Sequence, residues 1–272
     1  MTRVWGASIL KAGLRLWDDS ISPVAVIKIA QHNLFRPTSA IHETGHQIAY
    51  MLNWNKELAS AFRQELSPFS SVAAEEFQGW ASEIAADAFA FVHTGYASII
   101  ALHDVVGGDP YQVVRYNLGD PHPVSYIRLL LGIEMCRQFF GYGPWEALES
   151  SWKKYYQVPP EGSHDASVIK ACIPLLSKAT EILLKRRFRA FGNRALIELI
   201  HPKRVRPEEL YRLEQVAGDA LYTNQGWVWK ECIRLMALGG LKVADAKPVE
   251  ISKIYKQQED WMLRLGENTQ II

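Results

Sequence analysis

TSAIHETGHQIAYML, residues 38–52, is the stretch of sequence from which the local fold is best predicted. Apolar or small residues recur in it at helical spacing, at Ile41, Gly45, Ile48, Ala49 and Leu52. Thr38 favours the start of a helix, and Asn53 favours its end. The pattern therefore predicts an α-helix that begins at Thr38 and stops at Asn53.

This predicted helix carries the pattern H-E-x-x-H as His42-Glu43-Thr44-Gly45-His46. Four residues of an α-helix turn about 400°, so the two histidines project from one face and can share a metal ion. Imidazole suits zinc, and Glu43 points about 100° away, which leaves its carboxylate beside the metal as a base. Gly45 lowers helix propensity but lets another element approach closely. The five residues predict a zinc site.

A catalytic zinc takes three protein ligands and keeps one position for water, so a third donor is expected elsewhere in the chain. The sequence predicts a second helix, from Ser70 or Ser71 to Gly95, and its Ala-rich part SEIAADAFAF indicates burial. Glu83 and Asp87 lie four residues apart on one face of this helix. Because unpaired buried carboxylates are costly, we expect both to have partners.

Of these two carboxylates, Glu83 is the predicted zinc ligand, and Asp87 can accept a hydrogen bond from a ligand histidine. The competing donors are Glu75, Glu76 and His93. Glu76 competes most strongly, because its offset of seven residues from Glu83 keeps it on the same face of a continuous helix.

Three motifs follow one another along residues 38–130. They are HETGH at 42–46, E-x-x-A-D-A-F-A at 83–90, and H-P-x4-R, in which His122 and Pro123 precede Arg128. With these motifs, in this order, the chain resembles the gluzincin metallopeptidases of the CAAX prenyl protease and heat-shock protease X type. The resemblance covers under half of the chain.

The resemblance implies a role for each matching residue. His42, His46 and Glu83 would hold one zinc ion per chain, Glu43 would be the catalytic base, and Asp87 would orient a ligand histidine.

Outside the zinc ligands, the resemblance assigns roles to two further residues and points to one departure. His122 would stabilise the oxyanion of the transition state, and Arg128 would pair with a carboxylate near the site. Family members usually carry an edge strand well ahead of the H-E-x-x-H helix, against which an extended peptide aligns. Here only 41 residues precede His42.

Composition excludes several classes of protein. The chain has 272 residues with 48% apolar and 22% charged residues, which is the ordinary globular range. Its formal charge of +1 gives no field of the kind that non-specific nucleic-acid binders use. Basic residues cluster between 185 and 206, but no nucleic-acid motif accompanies them, so we expect solvated helix faces and no nucleic-acid partner.

The apolar stretches and the cysteines of the sequence bear on the cellular compartment of the protein. No stretch reaches the ~18 apolar residues of a membrane-spanning helix, so no membrane span and no prenylated substrate are expected. Cys136, Cys172 and Cys232 are odd in number and widely spaced, which argues against a disulfide framework and a cysteine zinc site. We expect a reduced, cytoplasmic setting without a secretory signal.

The predicted fold is mainly α, with a zincin-like metallopeptidase core, a small sheet at most, and a helical C-terminal region. VPPEGSHD at 158–165 interrupts the helical pattern, so we predict a catalytic domain over 1–160 and a helical accessory region over 161–272. The Gly- and Pro-rich residues 104–123 predict a loop over the site.

These residues predict a zinc-dependent metalloendopeptidase, in which a zinc-activated water attacks a polypeptide substrate with Glu43 as general base. The C-terminal helices are expected to select the substrate or a protein partner. One alternative is a narrow-specificity effector or phage-exclusion peptidase with the same site. Another is a non-catalytic, zinc-stabilised binding or scaffold protein, which a fourth protein ligand on the zinc would favour.

Overall fold

The computed structural model describes residues 8–10, 20, 22, 26–28 and 38–267, and the fold is mainly α. The part of the chain before residue 160 contains β1 (Ser8–Leu10), β2 (Val26–Lys28), α1 (Thr38–Met51), α2 (Trp54–Leu66), α3 (Ser71–Gly79), α4 (Ala81–Thr94), α5 (Tyr96–Val106), α6 (Pro110–Val114), α7 (Ser125–Phe140) and α8 (Trp145–Tyr155). The part after it contains α9 (His164–Cys172), α10 (Leu176–Lys185), β3 (Arg187–Phe188), β4 (Arg194–Ala195), α11 (Leu196–Leu199), α12 (Pro207–Ala217), α13 (Ala220–Thr223), α14 (Gln225–Asp245) and α15 (Pro248–Glu267).

Both sheets of the described residues are small, as predicted. β1 and β2 pair antiparallel with Ser8 opposite Lys28, and both strands contact α1. β3 and β4 form a second antiparallel pair of two residues each. The β1–β2 sheet thus lies beside the helix that carries the H-E-x-x-H pattern.

Helix α1 follows the sequence prediction closely. It begins at Thr38 and ends at Met51, and Asn53 adopts a left-handed backbone with φ 60° before α2 begins. Asparagine tolerates this conformation better than most residues, which explains why the helix stops there. An ideal Cβ added at Gly45 would lie 2.9 Å from Cα of Ala86, so α1 and α4 pack with their backbones almost in contact.

The single long helix predicted from Ser70 to Gly95 is wrong, because the structure has two helices there. Ser70 caps α3 by accepting a hydrogen bond from the backbone N–H of Ala73. Trp80 then leaves the helical conformation, with φ −86° and ψ 0°, and packs in the core against Phe77. Trp80 thus separates α3 from α4, and Glu76 and Glu83 lie on different helices.

Residues 104–123 are less irregular than predicted. Helix α5 continues to Val106, and Asp109 caps α6 by accepting hydrogen bonds from the backbone N–H groups of Tyr111 and Gln112. Pro110 at the first helical position favours this start. The loop proper is therefore residues 115–124, called here the His122 loop.

The C-terminal helices pack on the helices that precede residue 160. Helix α14 contacts α4 and α5, and a Cβ on Gly240 would lie only 2.7 Å from Cβ of Ala97. Trp54 of α2 packs against Phe188 and Phe191 of the β3–β4 region. Residues on both sides of 160 share one hydrophobic core. The division into 1–160 and 161–272 stays a prediction.

Two further findings concern the setting. None of the helices within residues 38–267 combines the length and the apolar character needed to cross a lipid bilayer. Cys136 and Cys172 are buried and Cys232 is half-buried, and all three are free thiols. They fill space in the core, as small apolar residues do.

Candidate metal centre

Helices α1 and α4 bring three donor side chains together. One nitrogen each from His42 and His46 and one carboxylate oxygen of Glu83 lie within 4.8 Å of one another. Nε2 of His46 is 3.1 Å from Oε1 of Glu83, and Nε2 of His42 is 3.6 Å from Oε2. Two imidazoles one helical turn apart and a carboxylate from a second helix form a group that could hold a metal ion.

The other ring nitrogens of both histidines also have partners. Nδ1 of His42 lies 2.9 Å from Oδ1 of Asp87, one helical turn after Glu83 on α4. Nδ1 of His46 lies 3.4 Å from Oγ of Ser82. A carboxylate on Nδ1 fixes the ring orientation and leaves Nε2 for a metal, which is the role expected of Asp87.

Arg128 of α7 contacts both carboxylates of α4 at the site. Its Nε and Nη2 donate to the two carboxylate oxygens of Asp87 at 2.7 and 2.9 Å, and Nη2 also lies 3.0 Å from Oε2 of Glu83. All three side chains are buried. A planar guanidinium suits this two-pronged contact, and it compensates charges that would otherwise be costly to bury.

These contacts set the protonation of the buried groups. Burial raises the pKa of Glu83, but hydrogen bonds from His42 and His46 and the charge of Arg128 outweigh burial and hold that pKa well below its usual range. The pKa of Asp87 is lowered too, since the charge of Arg128 and the His42 hydrogen bond outweigh burial. Burial lowers the pKa of His42, but Asp87 outweighs it and raises that pKa to about 9. A metal at Nε2 of His42 must therefore displace a proton.

His122 reaches the same group from the His122 loop. Its Nε2 lies 3.6 Å from Oε1 of Glu83, and its Nδ1 lies 2.8 Å from Oδ1 of Asp120. The side chain is 59% exposed. It therefore stands at the mouth of the site with one nitrogen held by the protein and the other directed inward.

Glu43 follows His42 on α1 and is half-buried. Four of the other six predicted site residues contact Glu83 directly. They are His42, His46, His122 and Arg128. Asp87 contacts His42 and Arg128, and Glu43 is adjacent to His42 in the sequence.

The competing donors have other partners. Glu75 pairs with Arg63 at 2.8 Å on the surface. Glu76 accepts a hydrogen bond from the hydroxyl of Tyr116 at 2.8 Å, and Nδ1 of His93 lies 2.8 Å from the carbonyl oxygen of Phe89. Glu76 lies on α3 and Glu83 on α4, so the two residues do not belong to one continuous helix.

Two site residues were missed by the sequence analysis, Ser82 and Asp120. Ser82 precedes Glu83 directly, and nothing in its local pattern marks it as a partner of a histidine 36 residues earlier. Asp120 lies two residues before His122 and also accepts a hydrogen bond from the His122 backbone N–H at 3.0 Å. The short Asp-Pro-His spacing is a signal for such a turn.

The donor set fits a divalent cation. Glu83 and Asp87 carry two negative charges and Arg128 one positive charge, so with neutral imidazoles the buried group keeps one net negative charge. Two imidazoles and one carboxylate suit zinc and also other transition metals such as iron.

Models of known protein families, curated proteins and solved structures gave no match to the chain. The resemblance to gluzincin peptidases and the zincin-like core therefore stay predictions.

Proposed function

We propose that this chain is a zinc-dependent metalloendopeptidase. The proposal is supported above all by the convergence of His42, His46 and Glu83 on one point, with Asp87 behind one of the histidines. We infer that the metal is zinc. Glu43, next to His42, supplies the general base that a hydrolytic zinc site uses, whereas an iron site that activates oxygen does not need such a base.

In this proposal each residue has one task. His42, His46 and Glu83 hold the zinc, which when bound supplies Lewis-acid activation of water and of the peptide carbonyl. Glu43 removes a proton from the attacking water and returns it to the leaving amine. Asp87 holds the Nδ1 proton of His42, and Arg128 keeps Asp87 and Glu83 ionised and in place.

His122 takes the role of a donor to the oxyanion that develops on the substrate carbonyl. Its exposed position is consistent with this role, because a substrate must reach it, and Asp120 orients the ring by accepting from Nδ1. Removal of such a donor costs about 10² to 10³ in turnover in other hydrolases.

Substitution of Glu43 by Gln tests the function. The change keeps side-chain volume and leaves the ligands in place, so zinc content and melting temperature should match wild type. Turnover should fall by at least about 10², since general-base catalysis contributes about 10² to 10⁴. Immobilised E43Q protein should retain a polypeptide that wild type shortens.

The matched control is Glu75→Gln, the same change at an exposed glutamate paired with Arg63. It should cleave as wild type does. If wild-type protein with one zinc shortens no polypeptide, and E43Q and wild type retain the same partners equally, the peptidase proposal fails and a scaffold remains.

A further inference from the structure

The His122 loop is attached to the rest of the fold at both of its ends. At its C-terminal end the chain enters α7, where Arg128 binds Asp87 and Glu83. At its N-terminal end stands Tyr116, which follows α6 by two residues. His122 lies between these two attachments, so its place depends on both.

Tyr116 makes contacts with two helices at once. Its hydroxyl donates to Oε1 of Glu76 on α3 at 2.8 Å, and its backbone N–H donates to Oδ1 of Asp165 on α9 at 2.8 Å. Its ring packs edge-on against His164, with centroids 4.9 Å apart. Burial and the Glu76 carboxylate raise the pKa of Tyr116 to about 12, so the phenol remains a donor at neutral pH.

Between Tyr116 and His122 the loop is held by its own short-range bonds. The backbone N–H of Asp120 donates to the carbonyl oxygen of Asn117 at 3.1 Å, and Asp120 accepts from both the backbone and the ring of His122. The stretch 117–122 is therefore one compact turn.

We propose that Tyr116 is the positioning residue for His122, and that α9 of the C-terminal region thereby supports the site. This inference rests on the proposed function, in which His122 serves the reaction. It gives α9 a supporting role beside the selection of substrate or partner that the sequence predicts for the C-terminal helices, since Asp165 and His164 both contact Tyr116.

The test combines backbone hydrogen exchange, followed by mass spectrometry, with a double-mutant cycle. Tyr116→Phe removes the hydroxyl and keeps the ring against His164. Loss of a hydrogen bond to a carboxylate should speed exchange in peptides covering 117–122 about tenfold, and leave α4 peptides unchanged. On a cleaved peptide substrate, kcat should fall about tenfold with KM unchanged.

Two variants at Glu76 separate the hydrogen bond from general damage. Glu76→Gln keeps an oxygen that accepts the Tyr116 hydrogen bond, so the hydrogen-exchange rate of residues 117–122 and kcat should both stay close to wild type. Glu76→Ala removes the acceptor and should match Tyr116→Phe. Tyr111→Phe is the control, because Tyr111 lies on α6 with its side chain largely exposed and should change neither readout.

The His122→Ala background decides whether Tyr116 acts through His122. There, adding Tyr116→Phe should lower kcat no further, because the residue that it positions is absent. An equal further loss would overturn the proposal, as would unchanged exchange at 117–122 in Tyr116→Phe. If no variant and no wild-type protein cleaves peptides, the proposed function fails, while the exchange data still decide the attachment of the loop.

Discussion

The three donor side chains of the candidate metal centre and His122 are held in place in different ways. His42, His46 and Glu83 project from two helices whose backbones nearly touch, and buried ion pairs surround them. His122 projects from a loop, is exposed, and is held by short-range hydrogen bonds. This difference agrees with the proposed function, in which the metal-binding groups stay fixed and His122 meets the substrate.

This difference predicts a graded series of effects on folding and metal binding, with the largest at the buried residues of the site and the smallest in the loop. Arg128→Met should have the largest effect. It removes the positive charge that contacts both Glu83 and Asp87, and in metal-free protein it leaves the protonated His42 as the main compensation for two buried carboxylates. We expect the free energy of unfolding of metal-free protein to fall by about 3 to 5 kcal/mol, measured by urea unfolding after chelator dialysis.

Arg137→Met on the same helix is the control. Arg137 pairs with Glu134, Glu146 and Glu149 in a half-buried network that water still reaches, so its loss should cost less than that of Arg128, about 1 kcal/mol. Equal losses at Arg128 and Arg137 would contradict the contrast between fully buried and half-buried ion pairs.

Gly45→Ala should have the second largest effect. The new Cβ would lie 2.9 Å from backbone Cα of Ala86, so α1 and α4 must separate. We expect a loss of about 1 to 3 kcal/mol from overpacking, offset by up to about 1 kcal/mol of helix propensity. Thermal and urea unfolding measure the change, and zinc affinity should fall with it because the ligands lie on both helices.

Gly79→Ala makes the same substitution where a Cβ meets nothing within 4 Å. It should leave the free energy of unfolding unchanged or raise it by up to about 1 kcal/mol. A stabilised Gly45→Ala would show that the close approach of the two helices is not needed.

Ser82→Ala should lower zinc affinity without unfolding the protein. The hydroxyl lies against Nδ1 of His46, and loss of a group bonded to a ligand histidine typically weakens metal binding by about 10- to 100-fold. The contact is long, so we expect about tenfold, measured by competition with a chelating dye. Ser60→Ala on α2, where the hydroxyl binds a backbone carbonyl of its own helix, should leave zinc affinity unchanged.

His122→Ala should have the smallest effect on the fold and on the metal. Because the side chain is exposed, the free energy of unfolding should change by less than about 0.5 kcal/mol, and zinc content should stay at one per chain. Turnover should nevertheless fall by about 10² with KM unchanged. Loss of zinc would instead identify His122 as a fourth ligand, and that outcome would favour a scaffold.

Much of this arrangement can be predicted from local sequence. The spacing of His42 and His46, and of Glu83 and Asp87, places each pair on one helix face, since helical geometry depends on near neighbours only. The stop at Asn53 and the start at Ser70 also follow from residue type.

The rest depends on contacts between distant residues, or on tertiary packing. Gly79 is a residue type that favours the end of a helix, but the alanines on both sides of it favour a continuous helix. The helix ends there because Trp80 leaves the helical conformation and packs against Phe77 in the core. The family resemblance implies that Arg128 pairs with a carboxylate near the site, but not that it joins Asp87 and Glu83. The Tyr116–Asp165 bond spans 49 residues, and no local pattern indicates it.

The packing of α14 on α4 and α5 has a consequence for synthesis. A ribosome releases the chain from its N-terminus, so α1 and α4 emerge with the three donor residues of the candidate metal centre long before Gln225 begins α14. Until then the apolar surface of α4 and α5 that α14 covers is open to water. The nascent chain thus carries its histidines and Glu83 early, and it completes the packing of α4 and α5 only once α14 has been made.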